Sequence, residues 1–258
     1  DSSMLHFAKG IKQHHTVCLS GECADEIFGG YPWFRDEEIY QKKTFPWSKN
    51  FSFRQEVLHP EIAALLPLEE YVASQYEKTM ARVSYLPEES PIKKRQREIS
   101  YLNTSWFMTT LLDRKDRMTM ASGLEVRVPF ADHRLIQYLY NVPWEYKYHN
   151  QEVKALLRDA FCDYLPDAVL HRKKSPYPKT YHPEYETLLK TQLKAILDNS
   201  AEPLHKLVNQ NYLTTLMNSP ADLGKPWFGQ LMAVPQMYAY LIEINDWLKT
   251  YQVRLELS

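Results

Sequence analysis

A chain of 258 residues, 44% of them hydrophobic, has apolar material for one large domain or two small ones and is too apolar for disorder. Its 31 Lys+Arg against 32 Asp+Glu leave a formal net charge of −1, so no global field holds a polyanion such as nucleic acid or an anionic membrane. Three cysteines (Cys18, Cys23, Cys162) predict free thiols rather than a disulfide framework. The longest apolar runs, such as Ile62 to Leu66, are too short to span a bilayer, so a cytoplasmic protein is expected.

In chain order, Met4, Leu5, Ala8 and Ile11 share one helical face, with Ser2 and Ser3 as caps, so the chain opens on a helix. Thr16 to Leu19 is a short β-branched apolar run and predicts a buried parallel strand. Ala24 to Phe28 reads as a helix stopped by Gly29-Gly30, two of only 7 glycines. Beyond it the pattern is almost wholly helical and offers no convincing further strand. Pro60 opens a short helix to about Leu66, and Leu68 to Val83 carries helical spacing. Ser90-Pro91 caps a helix running through Ile99 and Trp106 to Thr110, whose basic start, Lys93 to Arg97, reads as a solvated face. Gln151 to Tyr164 is expected to be helical. Pro183 begins a stripe of Tyr185, Leu188, Leu189, Leu193, Ile196 and Leu197, and Pro226 to Tyr251 is expected to be a helix kinked by Pro235.

The stretch from Leu19 to Tyr31 carries the chemistry. A strand, a turn at Ser20-Gly21 and a helix start leave backbone N–H groups free to meet an anion, and Glu22, Asp25 and Glu26 supply charge to hold Mg²⁺ beside it. The alternative is that these carboxylates only complement a helix end. The histidines lack paired metal spacing, so zinc is not expected.

The string SGECADEIFGGY, residues 20–31, resembles the SGEGADELFGGY signature of the synthetase domain of glutamine-hydrolysing asparagine synthetases. A second block, Leu111 to Ala121 followed by Gly123 to Arg134, is similar to the family's DRxSMAxGLEVRVPFLDHR region. A third, Lys154 to Arg158 with Leu165-Pro166 and Arg172 to Tyr177, is similar to its KxLLR, LP and RxKxxF segments. The resemblance implies a mainly α chain with a short parallel β remnant, the C-terminal portion of an α/β adenine-nucleotide domain of the PP-loop ATPase type. It also implies a single domain over 1–258.

The resemblance implies ATP and Mg²⁺ as cofactors, activation of the aspartate side chain as an acyl-adenylate, and displacement of AMP by ammonia derived from glutamine. On the matching positions, Ser20 and Gly21 contact ATP, Asp25 binds the metal, Glu22 helps deprotonate ammonia, and Lys174 neutralises the α-phosphate and departing pyrophosphate. Arg114, Lys115, Asp116, Arg117, Glu125, Arg127, Asp132, Arg134 and Arg158 are read as an ion-pair scaffold beneath the site. Cys23, where the family has a small residue, is either a reactive thiol or a packed one, with packing favoured.

The chain has neither the family's glutaminase domain nor its SGGxDS loop, so it is expected to be inactive alone, and the family implies a homodimer. Two other readings stay open. One is a related amidotransferase or β-lactam-type synthetase that adenylates another acid. The other is a non-catalytic binding module that keeps the fold.

Overall fold

The computed structural model describes residues 2–48, 51–174, 182–219 and 232–256. The chain divides into two units, residues 1–43 with 77–174 and residues 44–76 with 175–258. The fold is mainly helical with a small parallel sheet.

In the first unit α1 (Ser2–Lys12) leads into β1 (Val17–Leu19), a turn, and α2 (Ala24–Phe28). β1 pairs in parallel with β2 (Glu125–Arg127), Cys18 opposite Val126. The strand lies where the sequence predicts it, but it is not buried: Val17 is 39% and Leu19 73% exposed. The two side chains share one face of the strand, and only Cys18, pointing the other way, is partly covered. β2 itself was not expected.

Ser90 caps the Pro91–Leu102 helix by accepting the Lys93 N–H at 3.3 Å. One π-turn, Asn103–Phe107, joins that helix to Met108–Met120. Its basic start is not the solvated face the sequence suggests. Lys93 and Lys94 are exposed, but Arg95 and Arg97 are buried. Arg95 binds Glu98 at 2.8 Å and the carbonyls of Ile39 and Lys42, and Arg97 forks onto Glu89. A buried guanidinium with that many acceptors is a tie between segments.

The helix expected from Gln151 is shortened to Ala155–Ala160. Asn150 and Gln151 take φ of 50° and 61° and turn a hairpin between β3 (Tyr148–His149) and β4 (Glu152–Val153), the backbone that suits a two-residue turn between twisted strands.

The second unit is helical, and its core joins Val57, Leu193, Leu204, Leu213, Met237 and Tyr238. The Pro183–Leu197 helix packs against Val234–Thr250 with Leu189, Leu193 and Leu197 buried, while Leu188 stays 62% exposed. Pro235 starts the final helix rather than kinking it, since a missing N–H costs nothing in the first turn. The expected stretch at Pro226 lies outside the described residues. Among those described, no helix is long and apolar enough to cross a membrane.

Candidate active site

The site is built on the turn between β1 and α2. Ser20 donates its N–H to the Arg127 carbonyl at 2.9 Å, which continues the β1–β2 ladder one residue past the strand. The Glu22 N–H donates to Ser20 Oγ at 3.3 Å. These two donors are therefore spent inside the turn, not free as the sequence suggests. Gly21 is exposed, and a Cβ there would meet nothing within 4 Å, so its backbone is open to close approach.

Cys23 adopts φ 72°, a left-handed conformation that brings the chain sharply into α2. Ala24, Ile27 and Phe28 then anchor α2 against Leu139, with Phe130, Ile136 and Leu157 packed around them. This apolar footing fixes the opposite face, which carries the carboxylates. Gly29 closes α2 at φ 72°. Gly30 follows with its N–H on the Asp25 carbonyl at 2.8 Å, and a Cβ on Gly30 would fall 1.8 Å from Asp25 Oδ1. A side chain at position 30 would have to displace the Asp25 carboxylate, which occupies that space.

Lys174 Nζ donates to Asp25 Oδ2 at 2.8 Å, across 149 residues of sequence. Two of the residues singled out from the sequence, Asp25 for the metal and Lys174 for the phosphates, thus lie in contact, and Lys174 is exposed. Lys154 Nζ lies 3.1 Å from Asp25 Oδ1, a second cation to which the sequence reading gives no role. The available signal was the KxLLR block. What aims Lys154 is its left-handed backbone, φ 57°, at the start of the Ala155–Ala160 helix. Burial alone would raise the Asp25 pKa, but Lys154 and Lys174 outweigh it and hold the carboxyl below its ordinary value.

An aromatic wall backs the lysine. Lys174 Nζ sits 4.4 Å from the centroid of the Tyr31 ring. Tyr31 stacks on Trp33 at 4.4 Å and meets Phe107 edge-on, and Trp33 Nε1–H is tied to Asn103 Oδ1 in the π-turn. The Tyr31 hydroxyl donates to Glu26 Oε1 at 2.6 Å. Burial raises the pKa of Glu26 in spite of that hydrogen bond, and burial followed by the Glu26 charge raises that of Tyr31.

Glu22 pairs with other cations than Asp25 does: its carboxylate lies 3.6 Å from Arg114 and 3.4 Å from Lys115, both on the Met108–Met120 helix. Other charges of that block pair locally: Arg117 with Asp113, Arg127 with Glu125, Arg134 with Asp132. Cys23 is buried, and burial followed by Glu26 and Glu22 pushes its thiol up to about 12, so it is a packed group.

The donor set suits a magnesium polyphosphate better than a free metal ion. Among the described residues no three His, Cys, Asp or Glu side chains converge as a metal cage. Mg²⁺ beside nucleotide phosphates needs only one or two carboxylates, and Asp25, whose two oxygens face Lys154 and Lys174, is the carboxylate placed to supply one once those cations turn to phosphate.

The family model described as asparagine synthase matches residues 1–249. The chain is 47% identical over 257 residues to asparagine synthetase [glutamine-hydrolyzing] 3 of Bacillus subtilis (strain 168), covering 99% of this chain and 42% of that protein. Asparagine synthetase [glutamine-hydrolyzing] 1 of the same strain is 31% identical over 209 residues, covering 67% of this chain and 32% of the relative. The Mus musculus asparagine synthetase [glutamine-hydrolyzing] is 42% identical over 67 residues, 25% of this chain and 12% of its own. The chain therefore spans less than half the length of these curated relatives.

Proposed function

This chain belongs to the asparagine synthase family, and we propose that it supplies part of the synthetase site of an enzyme that makes asparagine from aspartate, ATP and glutamine-derived ammonia. The observation that carries the reading is the 2.8 Å contact between Lys174 and Asp25, with Lys154 at 3.1 Å on the other oxygen. Four cations, Lys154, Lys174, Arg114 and Lys115, face two carboxylates, Asp25 and Glu22, and Lys174 also sits over the Tyr31 ring whose hydroxyl binds Glu26. Such a set carries excess positive charge without ligand and re-pairs when a triphosphate arrives.

In this reading Asp25 would hold Mg²⁺, and the open backbone at Gly21, with Ser20 beside it, would lie against the nucleotide. Bound Mg²⁺ neutralises phosphate charge. Lys174 and Lys154 turn from Asp25 to phosphate oxygens, placing positive charge where the aspartate carboxylate attacks the α-phosphorus and pyrophosphate departs. The Tyr31 ring keeps Lys174 from swinging into solvent. When ammonia attacks the acyl-adenylate, the C–N bond forms, the C–O bond to AMP breaks, and Glu22 takes the surplus proton. Arg114 and Lys115 keep that carboxylate in place.

The domain as a whole is read as the C-terminal portion of a PP-loop-type α/β nucleotide fold within a longer cytoplasmic polypeptide that carries a glutaminase, acting as a homodimer. Residues 1–258 alone are read as inactive.

The test is pyrophosphate release from ATP by the longest protein its reading frame encodes, with aspartate compared against other carboxylic acids. Release that requires Mg²⁺ and aspartate, followed by asparagine formation, is expected. Preference for a different acid moves the chain to a related amidotransferase or β-lactam-type reaction. No adenylation of any acid leaves a binding module.

A further inference from the structure

A second pocket, whose lining residue Trp144 abuts Gly29 at the end of α2, lies wholly within the first unit. The loop Leu86–Glu89, the Pro91–Leu102 helix and the segment from Tyr140 to Lys147 enclose a cavity of about 280 Å³. One part of its lining is apolar, from Leu86, Val142, Pro143 and Trp144, and another is polar, from Gln96, Ser100 and Asn141.

Its charges are unevenly matched. Arg97 and Glu89 neutralise each other through a fork of bonds at 2.6–3.1 Å, and Arg97 donates again to Asn141 Oδ1 at 3.0 Å. Lys93 lies 3.7 Å from Glu145. Lys147 is 3% exposed and donates once, to the Leu139 carbonyl at 2.5 Å. Among the described residues no carboxylate forms an ion pair with it. The buried Tyr140 hydroxyl beside Arg97 has no well-aligned hydrogen-bond partner.

A buried ammonium has three N–H donors, and one carbonyl answers only one of them. Capping the His133–Asn141 helix accounts for that bond, but a neutral residue would do it without the cost of a buried charge. The site already described does not use Lys147.

We propose that this cavity binds a small organic monocarboxylate, its carboxylate on the Lys147 ammonium and its carbon body against Trp144, Val142 and Leu86. Glu145 pairs with Lys93 and Glu89 with Arg97, which leaves the Lys147 ammonium as the lining cation without a carboxylate partner among the described residues, and a monoanion neutralises it. A phosphate dianion overshoots, and the apolar wall gives it nothing to contact. Burial followed by the Arg97 charge pushes the Lys147 pKa down to about 8, and a bound carboxylate reverses that shift, so binding at alkaline pH takes up a proton. The inference does not depend on the synthetase reading.

The test is calorimetric titration of the 258-residue chain with propionate at pH 8.5 in two buffers of different ionisation enthalpy, with chloride as the ionic-strength control and inorganic phosphate as the competitor class. Saturable propionate binding, roughly millimolar, is expected, with a buffer-dependent heat that reports proton uptake and weaker binding of phosphate. Lys147→Met removes both affinity and proton uptake. Ser100→Met, which fills the cavity and keeps the ammonium, weakens propionate about tenfold or more. The proposal is overturned by non-saturating propionate, by phosphate binding as tightly, or by full affinity in Ser100→Met. Should Lys147→Met fail to fold, Ser100→Met and the buffer dependence decide.

Discussion

Replacing Gly30 with alanine drives a methyl group into the Asp25 carboxylate. The added Cβ lies 1.8 Å from Oδ1, 2.6 Å from Cγ and 3.0 Å from the aspartate Cβ, where ordinary contact begins at 3.4 Å. The oxygen must therefore retreat by about 1.6 Å, which breaks the present contacts with Lys154 and Lys174 unless both lysines follow. Gly30 is not left-handed, so backbone strain does not enter. Overpacking of this kind costs about 1–3 kcal/mol. Because the carboxylate end can rotate, the lower half of that range is expected. The ion pairs add less than about 1 kcal/mol, since both lysines are partly solvated. The assay is urea denaturation of a double-mutant cycle with Asp25→Ala. In the Asp25→Ala background only the 3.0 Å contact remains, so Gly30→Ala should cost less than about 0.5 kcal/mol, leaving a coupling of about 1 kcal/mol. An equal cost of Gly30→Ala in both backgrounds refutes the packing described.

Other consequences are open to direct measurement. At pH 8 a thiol reagent should modify exposed Cys162 and leave buried Cys23 intact until the chain unfolds, as peptide mass spectrometry will show; rapid Cys23 labelling contradicts its packing. Lys147 has a folded pKa of about 8 against an ordinary 10.5, so the unfolded chain binds more protons between those values and stability rises with pH there. Between pH 8 and 9 the gain is about 1 kcal/mol, seen as a difference from Lys147→Met. Above pH 9 Cys23 opposes it, because its raised folded pKa keeps the native state protonated. Asp25 has the opposite sign to a raised acid: its lowered folded pKa adds stability above the ordinary carboxylate value, lost as pH falls through the folded one. Asp25→Asn should show a shallower acid limb in denaturation midpoints.

The helices with clear apolar periodicity and a Pro or Ser-Pro start were legible in the sequence, as Pro91–Leu102 and Pro183–Leu197 show, because those signals are local. β2 was not. Glu125-Val126-Arg127 has one apolar residue between two charges and becomes a strand only by pairing with Val17–Leu19, more than a hundred residues earlier. The hairpin at Asn150-Gln151 was hidden because neither residue is glycine, though both adopt positive φ. Within the site, Asp25 and Lys174 were legible as residue types from motif resemblance. That Lys154 shares Asp25 was not, since it depends on one backbone conformation. The buried ties of Arg95 and Arg97 were also missed, since a run of basic residues on a helix has the same pattern whether water or carbonyls surround it.

The most direct test of the account is aspartate-dependent pyrophosphate release with Lys174→Met and Lys174→Arg in the longest protein the reading frame encodes. Folding is checked by an unchanged urea midpoint. The account predicts a fall of about 100- to 1000-fold for methionine, with partial recovery in arginine. Release at the parent rate in a folded Lys174→Met protein contradicts it.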